Sequence, residues 1–428
     1  TKTAYDIAQC LVGSEMGRRD RLRSVLDKYQ YLSKQDRAFM TRLVDGTIEY
    51  MLQLDYIIDS FSKTKVRKMK PFIRNLLRMS VYQIKYMDAV PDSAVCNEAV
   101  KLAKRHKFAQ LSGFVNGVLR NIARNIDSVQ FDTLSIRYSM PQWIVDRFVA
   151  AYGEKKAEEI FKAFHSKSTL SIRTNLTRCT PDELRVILET EGVTVTAVDD
   201  INYAFVISGF DYLNGLQSFR DGLFYVQDIS SMLVAQTAAP KKGDYVIDVC
   251  AAPGGMSTHI AELLQGSGHV LARDLTDNKV DMIEENIERH GLNNMSAEVW
   301  DATVPDADSA GKADILICDL PCSGLGVLGR KKDIRYKMTP ESVDELAALQ
   351  RQILDTVHTY VKPNGVLVYS TCTIDEAENE DNVRWFIEKH PEFELDKSFA
   401  EGTGMKQILP GEHGSDGFFI ARFIKSKL

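Results

Sequence analysis

The spacing of apolar positions changes twice along this chain of 428 residues. Through about residue 130, apolar side chains recur every three or four positions, a period typical of amphipathic helices. One such stripe consists of Ile73, Leu76, Leu77, Val81 and Ile84. A second pattern over residues 36–58 predicts one long helix, and Pro91 begins another. No strand-like alternation interrupts these patterns, so the first third of the sequence predicts an all-helical domain.

The pattern becomes mixed between residues 135 and 224. Short strands are predicted over residues 171–175, 193–198 and 205–207, and Thr180 followed by Pro181 predicts the start of a helix. This region therefore predicts a small α+β module, whose chemistry the residues alone do not reveal.

After residue 224, predicted strands and helices alternate. A strand rich in β-branched residues ends at Asp248, and a turn through Pro253, Gly254 and Gly255 leads into a helix. Further strands are predicted over residues 268–272, 297–300, 313–318, 366–370 and 417–424, with helices over residues 276–290, 340–361 and 378–390. Such alternation predicts an α/β fold with a doubly wound, mostly parallel sheet. The predicted domains are residues 1–134, 135–224 and 225–428.

The composition is that of a globular protein, with 44% hydrophobic and 26% charged residues. No apolar run reaches the ~18 residues that a membrane span needs, and the first six residues begin a helical pattern rather than the apolar core of a signal peptide. We therefore expect a soluble cytoplasmic monomer that contacts no membrane.

Seven cysteines are scattered along the chain without any C-x-x-C motif: Cys10, Cys96, Cys179, Cys250, Cys318, Cys322 and Cys372. Their odd number and their spacing argue against both a disulfide framework and a zinc site, so reduced thiols and no bound metal are expected. Cys250 and Cys318 are predicted to pack in the core. A cysteine with a function is expected to act through the reactivity of its thiol.

The net charge of −6 is distributed unevenly. Residues 1–135 contain 23 Lys and Arg against 14 Asp and Glu, a net charge of +9, and the remaining residues contain 30 against 45, a net charge of −15. A basic front part on an acidic protein indicates contact with nucleic acid, although a solvated helix surface is the simpler alternative. The predicted phosphate-facing residues are Lys63, Lys65, Arg67, Lys68, Lys70, Lys101, Lys104, Arg105 and Lys107.

Acidic side chains follow the predicted strands at the edge where open α/β sheets bind ligands. Asp274 is placed to accept hydrogen bonds from two ribose hydroxyls, and Asp301 to meet an adenine edge. The turn lacks the G-x-G-x-x-G fingerprint of dinucleotide sites, which argues against an oxidoreductase. S-adenosylmethionine, an adenosine compound without a pyrophosphate, fits this pattern. The alternative is that these acids only cap helices.

Cys322 and Cys372 each lie on a polar loop directly after a predicted strand, so both can reach one reaction centre. The C5 atom of cytosine is a poor nucleophile, but addition of a thiolate at C6 turns the ring into an enamine that accepts a methyl group. An acid near N3 or the exocyclic amine offsets the charge that this addition creates, and a second thiol or a base can assist release of the product. The alternative is two structural cysteines.

Several motifs carry a resemblance to known families. Residues 39–47 (FMTRLVDGT), 78–86 (RMSVYQIKY), 97–104 (NEAVKLAK) and 114–120 (FVNGVLR) are similar to the NusB-type RNA-binding helical domain. Residues 224–234 (FYVQDISSMLV), 246–255 (VIDVCAAPGG), 319–324 (DLPCSG), 369–373 (YSTCT) and 413–423 (HGSDGFFIARF) resemble the Nop/Sun group of RNA 5-methylcytosine methyltransferases. The NusB-like front is similar to that of the bacterial enzymes of this group that act on small-subunit (16S) ribosomal RNA.

The resemblance implies a Rossmann-like class I methyltransferase domain, preceded by the NusB-like domain and by an α+β module that helps to hold RNA. It implies Cys372 as the nucleophile, Cys322 as the residue that helps to release the product, and Asp319 as a contact to the cytosine edge. It also implies an S-adenosylmethionine site lined by Cys250, Ala251, Ala252, Pro253, Gly254, Gly255, Met256, Asp274, Asp301 and Asp319.

Met256 departs from the family pattern, which usually has Lys after Pro-Gly-Gly. Either turnover is slow, or another cation substitutes, with Arg330, Lys331 and Lys332 as candidates. Two alternatives therefore stay open: a non-catalytic RNA-binding scaffold for ribosome assembly, and the same chemistry on tRNA.

Overall fold

The computed structural model describes residues 33–166, 169–199 and 201–427, which fall into two compact units. The first unit extends to His165 and also includes Lys331–Lys337, and the second consists of Ser166–Arg330 and Met338–Leu428. Cys10 and the helical pattern at the first six residues lie outside the described residues. The three-domain division at residues 134 and 224 stays a prediction.

The first unit is helical, as predicted. Within residues 33–165 and 331–337, its helices longer than one turn are α1 (Lys34–Glu49), α2 (Met51–Phe61), α3 (Pro71–Tyr86), α4 (Asp92–Arg105), α5 (Ser112–Asn125), α6 (Gln142–Tyr152) and α7 (Glu154–Phe164), and Leu134–Arg137 and Ile334–Lys337 are single turns. The stripe predicted on α3 points into the core, because Ile73, Leu76, Leu77 and Val81 are each at most 1% exposed. The prediction of one helix over residues 36–58 was wrong. Tyr50 separates α1 from α2 and its ring stacks on Tyr86 at a centroid distance of 4.4 Å, a break that apolar spacing does not reveal.

The second unit begins with a four-stranded antiparallel sheet of order β2-β3-β1-β4. Its elements are β1 (Leu170–Thr174), α8 (Pro181–Thr190), β2 (Thr194–Ala197), β3 (Ala204–Ser208) and β4 (Phe224–Val226), with the single turn Gln217–Arg220. Thr180 caps α8 through a capping box with Glu183, as the Thr-Pro-acid pattern predicts.

An eight-stranded sheet forms the rest of the second unit, in the order β10-β12-β9-β8-β5-β6-β7 with β11 on β12. Its elements are α9 (Ile229–Ala238), β5 (Tyr245–Asp248), α10 (Gly255–Leu263), β6 (His269–Asp274), α11 (Asp277–His290), β7 (Met295–Val299), β8 (Ala313–Asp319), α12 (Pro340–Val357), β9 (Val361–Thr371), α13 (Glu380–Lys389), β10 (Phe393–Leu395), β11 (Met405–Ile408) and β12 (Phe418–Lys425). Strands β5 to β9 are parallel and β10 to β12 are antiparallel. The chain order reverses at β5, which lies between β8 and β6, and open sheets bind ligands beyond the carboxyl ends of the strands at such a point.

Two predicted boundaries in this sheet were wrong. The helix predicted over residues 340–361 ends at Val357, and β9 begins at Val361 rather than at residue 366. Pro363 and Gly365 lie inside the first part of β9 and hid its strand character. The short strands β10 and β11, which add to β12, were not predicted.

A buried ion pair joins the small sheet to helix α10 within the second unit. Arg173 on β1 is fully buried and donates to the Glu262 carboxylate at 2.8 Å, to the Thr258 hydroxyl at 3.2 Å and to the Gly255 carbonyl at 2.9 Å. A buried charge is tolerated only when it is paired and hydrogen-bonded. The first turn of α10 is therefore fixed from the side of the small sheet.

Candidate active site

The turn between β5 and α10 lies at the carboxyl edge of the sheet, and two glycines in it have conformations or contacts that a side chain would disturb. Gly254 has φ +100°, a left-handed conformation that L side chains rarely adopt, and a Cβ on Gly255 would lie 3.2 Å from the Tyr225 ring. Asp248, at the end of β5, accepts hydrogen bonds from the Ser257 hydroxyl and from the Cys250 amide. Burial raises the pKa of Asp248 to about 7. The two glycines allow this tight turn to form over a buried acid.

Carboxylates stand at the carboxyl ends of β6, β7 and β8. Asp274 accepts the Ala252 amide at 3.0 Å and the Lys279 ammonium at 2.8 Å, so it lies directly beside the turn. Asp301 is exposed and accepts the Thr303 hydroxyl and amide, which lower its pKa. Asp319 accepts the hydroxyl of Ser370 at 2.9 Å.

These residues fit the adenosine part of S-adenosylmethionine. Carboxylates at the ends of neighbouring strands accept hydroxyl and amine donors, and the glycine turn leaves backbone accessible to a ligand. Asp274 remains the residue predicted to hold the ribose, and Asp301 the residue predicted to meet the adenine edge. Asp319 remains predicted to line the S-adenosylmethionine site and to contact the cytosine edge. These acceptors match the hydroxyl and amine donors of a nucleoside.

The thiols of Cys322 and Cys372 lie side by side, with their sulfur atoms 3.2 Å apart. Cys322 follows β8 and Cys372 follows β9, two neighbouring parallel strands whose carboxyl ends meet at one edge. Both residues are half-buried. The hydrogen bond to Cys372, together with burial, raises the pKa of the Cys322 thiol well above its usual value. The neighbouring Cys318 is fully buried inside β8 and packs in the core, as predicted.

Glycines fix the loops that carry the two thiols. The Gly326 amide donates to the Cys372 carbonyl at 3.1 Å, and the Gly417 amide donates to the Gly326 carbonyl at 2.9 Å. A Cβ on Gly326 would lie 2.1 Å from the Gly417 carbonyl oxygen and 2.8 Å from that of Cys372. The three segments around residues 322–326, 372 and 417 therefore pack backbone against backbone.

A buried polar network behind the thiols was not predicted from the sequence. Glu378 is fully buried and accepts hydrogen bonds from the Ser323 amide at 2.8 Å, from the Ser323 hydroxyl and from the Gln350 side chain at 3.0 Å. Gln350 also donates to the carbonyl of Pro321 at 2.9 Å. Burial raises the pKa of Glu378. The network holds the residues on both sides of Cys322.

Asn379 holds the Cys372 segment in the same way. Its side chain donates to the Thr373 carbonyl at 3.1 Å and accepts the Thr371 hydroxyl at 2.6 Å. Glu378 and Asn379 were assigned to the start of a predicted helix, which in fact begins at Glu380. Their signal in the sequence was a charged residue and an amide shortly after the Thr-Cys-Thr motif.

Met256 and the three candidate cations take different positions. Met256 is 8% exposed and packs in the apolar cluster of the sheet, against which Cys372 also packs. Arg330 forms ion pairs with Asp228 and Asp416, each at 2.6 Å. Lys331 and Lys332 belong to the first unit, where Lys332 binds Glu49 at 2.6 Å. Arg330 is thus the candidate that lies in the same unit as the thiols.

Known families match three parts of the chain. A model described as 16S rRNA methyltransferase RsmB/F matches residues 235–424, the NusB family matches residues 4–124, and the ferredoxin-like domain of RsmF/B-like methyltransferases matches residues 140–210.

Individual proteins match over almost the whole length. The probable ribosomal RNA small subunit methyltransferase B of Bacillus subtilis (strain 168) is 38% identical, over 94% of this chain and 94% of its own length. That of Synechocystis sp. (strain ATCC 27184 / PCC 6803 / Kazusa) is 33% identical, over 97% and 98%. The crystal structure of PH0851 superposes with a TM-score of 0.84 at 25% identity, over 99% of this chain and 98% of that one.

The strand order, the glycine turn after β5 and these matches define a class I methyltransferase that uses S-adenosylmethionine. The chain belongs to the RsmB/F family of rRNA methyltransferases, with a NusB-like helical region in front of the Rossmann-like domain. The predicted fold class and the predicted cofactor are thereby confirmed. Among the helices of the described ranges, none is both long and apolar enough to cross a membrane.

Proposed function

We propose that the protein transfers a methyl group to C5 of a cytosine in small-subunit ribosomal RNA, through a covalent bond between Cys372 and C6. The observation that carries this proposal is the 3.2 Å distance between the sulfur atoms of Cys322 and Cys372 at the carboxyl edge of the parallel sheet. Methylation at C5 of a cytosine is made possible by addition of a thiolate at C6, whereas transfer to a ring nitrogen or to a hydroxyl oxygen needs no such addition. Two adjacent thiols at this edge therefore favour the C5 position.

The roles of the two thiols are taken from the family resemblance, which implies Cys372 as the nucleophile and Cys322 as the residue that helps to release the product. The raised pKa of Cys322 agrees with a protonated thiol at this position. In this arrangement the Cys322 S–H donates to the Cys372 sulfur, 3.2 Å away. A neighbouring donor stabilises a thiolate, which is the stronger nucleophile.

The proposed methylation proceeds in the following steps. The Cys372 thiolate forms a bond to C6, while Asp319, in its carboxylic acid form, gives a proton to N3 and offsets the charge on the ring. Bound S-adenosylmethionine would supply the methyl group that C5 takes up, and its sulfonium sulfur would leave as the thioether of S-adenosylhomocysteine. The Cys322 thiol gives its proton to water. Cys322 then removes the proton from C5, the N3 proton returns to Asp319, and the S–C6 bond breaks to regenerate the Cys372 thiolate.

The RNA substrate is proposed from the names of the relatives and from the basic surface of the first unit. The B. subtilis and Synechocystis relatives are named ribosomal RNA small subunit methyltransferases. All nine predicted phosphate-facing residues, from Lys63 to Lys107, are exposed. We assign residues 1–134 and 135–224 to RNA binding and residues 225–428 to catalysis. The target base leaves its stack to reach the thiols, as RNA-modifying enzymes require.

The test is methyl transfer from labelled S-adenosylmethionine to small-subunit rRNA and, separately, to tRNA. Cys372→Ala is expected to lower the rate at least about 10³-fold, because the nucleophile is lost. Cys179→Ala, which removes a thiol of the small module, is the matched control and should keep full activity. Bisulfite sequencing of the product identifies the base and its position. Undiminished activity of Cys372→Ala would contradict the proposed role of Cys372. Methylation of tRNA but not of small-subunit rRNA would show that the substrate is tRNA.

A further inference from the structure

Two histidines and two acids meet near the amino end of β9, at the opposite end of this strand from Cys372. Asp355 is on the last turn of α12, His358 begins the single turn His358–Tyr360, His390 ends α13, and Glu392 follows it. One ligand atom from each of Asp355, His358 and His390 lies within 4.8 Å of the others. We infer that these residues form a binding site for a divalent transition metal ion of the zinc type.

His390 provides an independent indication of a missing ligand. Its side chain is 7% exposed, and its Nε2 atom makes no hydrogen bond with any residue in the described part of the chain. The Nε2 atom lies 3.2 Å from Asp355 Oδ1, in the direction of the cluster. A buried ring nitrogen without a hydrogen bond is unfavourable unless another group binds it.

His358 is oriented in the way that metal-binding histidines are. Its Nδ1–H donates to the Asp355 carbonyl at 2.8 Å, which leaves the lone pair of Nε2 on the side of the cluster. Metal ligands almost always donate their second ring N–H to such an acceptor, which fixes the tautomer and the plane of the ring. The Nε2 atom lies 3.7 Å from Glu392 Oε1, so this carboxylate can complete the ligand set.

The protonation states agree with this interpretation. A neutral imidazole offers a nitrogen lone pair to a metal ion, and the two rings lie side by side at the cluster. The rings are close, with centroids 3.9 Å apart, an arrangement that two imidazolium cations would oppose. Lys389 binds the other oxygen of Asp355 at 2.9 Å, which leaves Asp355 Oδ1 facing the histidines.

The ligand atoms indicate the kind of metal. Two imidazoles with one or two carboxylates suit Zn²⁺ in a four-coordinate site, whereas Mg²⁺ and Ca²⁺ prefer oxygen ligands throughout. The site joins the end of α12 to the end of α13, far along β9 from the thiols. We therefore assign it a stabilising role in the fold, which does not depend on the proposed methylation chemistry.

The experiment uses the full chain after removal of metals with a chelator. Titration with Co²⁺ is followed by absorption, because thiolate ligands give an intense near-ultraviolet charge-transfer band and nitrogen and oxygen ligands do not. The wild type is expected to bind one equivalent without that band, which separates this site from Cys322 and Cys372. His358→Gln and Asp355→Asn should each weaken binding at least about tenfold. His269→Gln, which changes a histidine on β6, is the matched control and should bind normally.

Thermal unfolding with Zn²⁺ gives a second measurement that is independent of activity. Zn²⁺ at about a hundred times its dissociation constant lowers the unfolded fraction about a hundredfold when it binds only the folded state. We expect this stabilisation in the wild type and in His269→Gln, and its loss in His358→Gln. Absence of binding by the wild type, binding only through thiolates, or equal binding by all variants would overturn the inference.

Discussion

The two ends of strand β9 differ in how their polar side chains are held. The strand has 11 residues and therefore extends about 35 Å. At its carboxyl end, Cys372 is fixed by backbone packing against Gly326 and by a buried network behind it. At its amino end, His358 and His390 are held at the ends of two helices, where the His358 ring donates to the Asp355 carbonyl and the His390 ring lies 3.2 Å from the Asp355 carboxylate. The comparison shows backbone packed against backbone at the end where we propose catalysis, and contacts made through side chains at the end where we propose a metal site.

Among the changes that leave both thiols in place, the largest effect is expected when backbone packing at the carboxyl end is broken. Gly326→Ala places a Cβ against two carbonyl oxygens, so the loops must separate and the thiols move apart. Because a displacement of about 1 Å costs about 10²-fold in rate, we expect at least that loss of methyl transfer. Gly117→Ala on α5, where no described atom lies within 4 Å of the added Cβ, is the control and should gain up to ~1 kcal/mol of stability. Equal rates of methyl transfer in the two variants would show that backbone packing at Gly326 does not position the thiols.

A smaller effect is expected from the buried network. Glu378→Gln replaces an acceptor of three hydrogen bonds by a group that brings two N–H donors, so the Cys322 loop loses part of its support. We expect a rate about 10 to 100 times lower and a free energy of unfolding lower by ~1–3 kcal/mol. Glu376→Gln, an exposed position, should change the free energy of unfolding by less than about 0.5 kcal/mol. Chemical denaturation measures the free energy of unfolding, and transfer of labelled methyl groups measures the rate. A wild-type rate in Glu378→Gln would show that the network is not needed to position the Cys322 loop.

The smallest effect is a change in how stability depends on pH. The pKa of Asp248 is raised to about 7 in the folded protein, above the ~3.9 of an unfolded chain, so the folded state binds a proton that the unfolded state releases. The stabilisation is complete below about pH 4 and is lost as the pH rises towards 7. Asp248→Asn cannot titrate, so the wild type should lose on the order of 2 kcal/mol relative to it between pH 5 and pH 8. Urea unfolding at both pH values measures this difference, and a difference between the two proteins that does not change with pH would show that Asp248 does not titrate in this range.

The positions of many residues at the carboxyl edge of the sheet could be predicted, because neighbouring parallel strands end at the same edge. Strands β8 and β9 are neighbours and run in the same direction, so residues just after each strand had to meet, and Cys322 and Cys372 do. The aspartates at the ends of β6, β7 and β8 lie at strand ends for the same reason. The helical nature of the first unit followed from apolar spacing alone.

Contacts between distant polar residues could not be predicted from one sequence. Glu378 looked like an ordinary surface acid at a helix start, and only the fold places it under Ser323. His358 and His390 are 32 positions apart, and the absence of a zinc site was predicted from cysteine spacing alone, without the pairing of α12 with α13. The helix break lies at Tyr50, whose ring stacks on Tyr86, and apolar periodicity encodes neither the break nor the stacking.

The most direct test of the central claim is to trap the covalent bond between protein and RNA. Cys322→Ala should form the bond between Cys372 and C6 but fail to release the product, so incubation with substrate RNA and S-adenosylmethionine should give a shifted band on a denaturing gel. The double variant Cys322→Ala, Cys372→Ala should give no such band. A shifted band that persists without Cys372, or no band from Cys322→Ala with an RNA that the wild type methylates, would contradict the proposed roles of the two thiols.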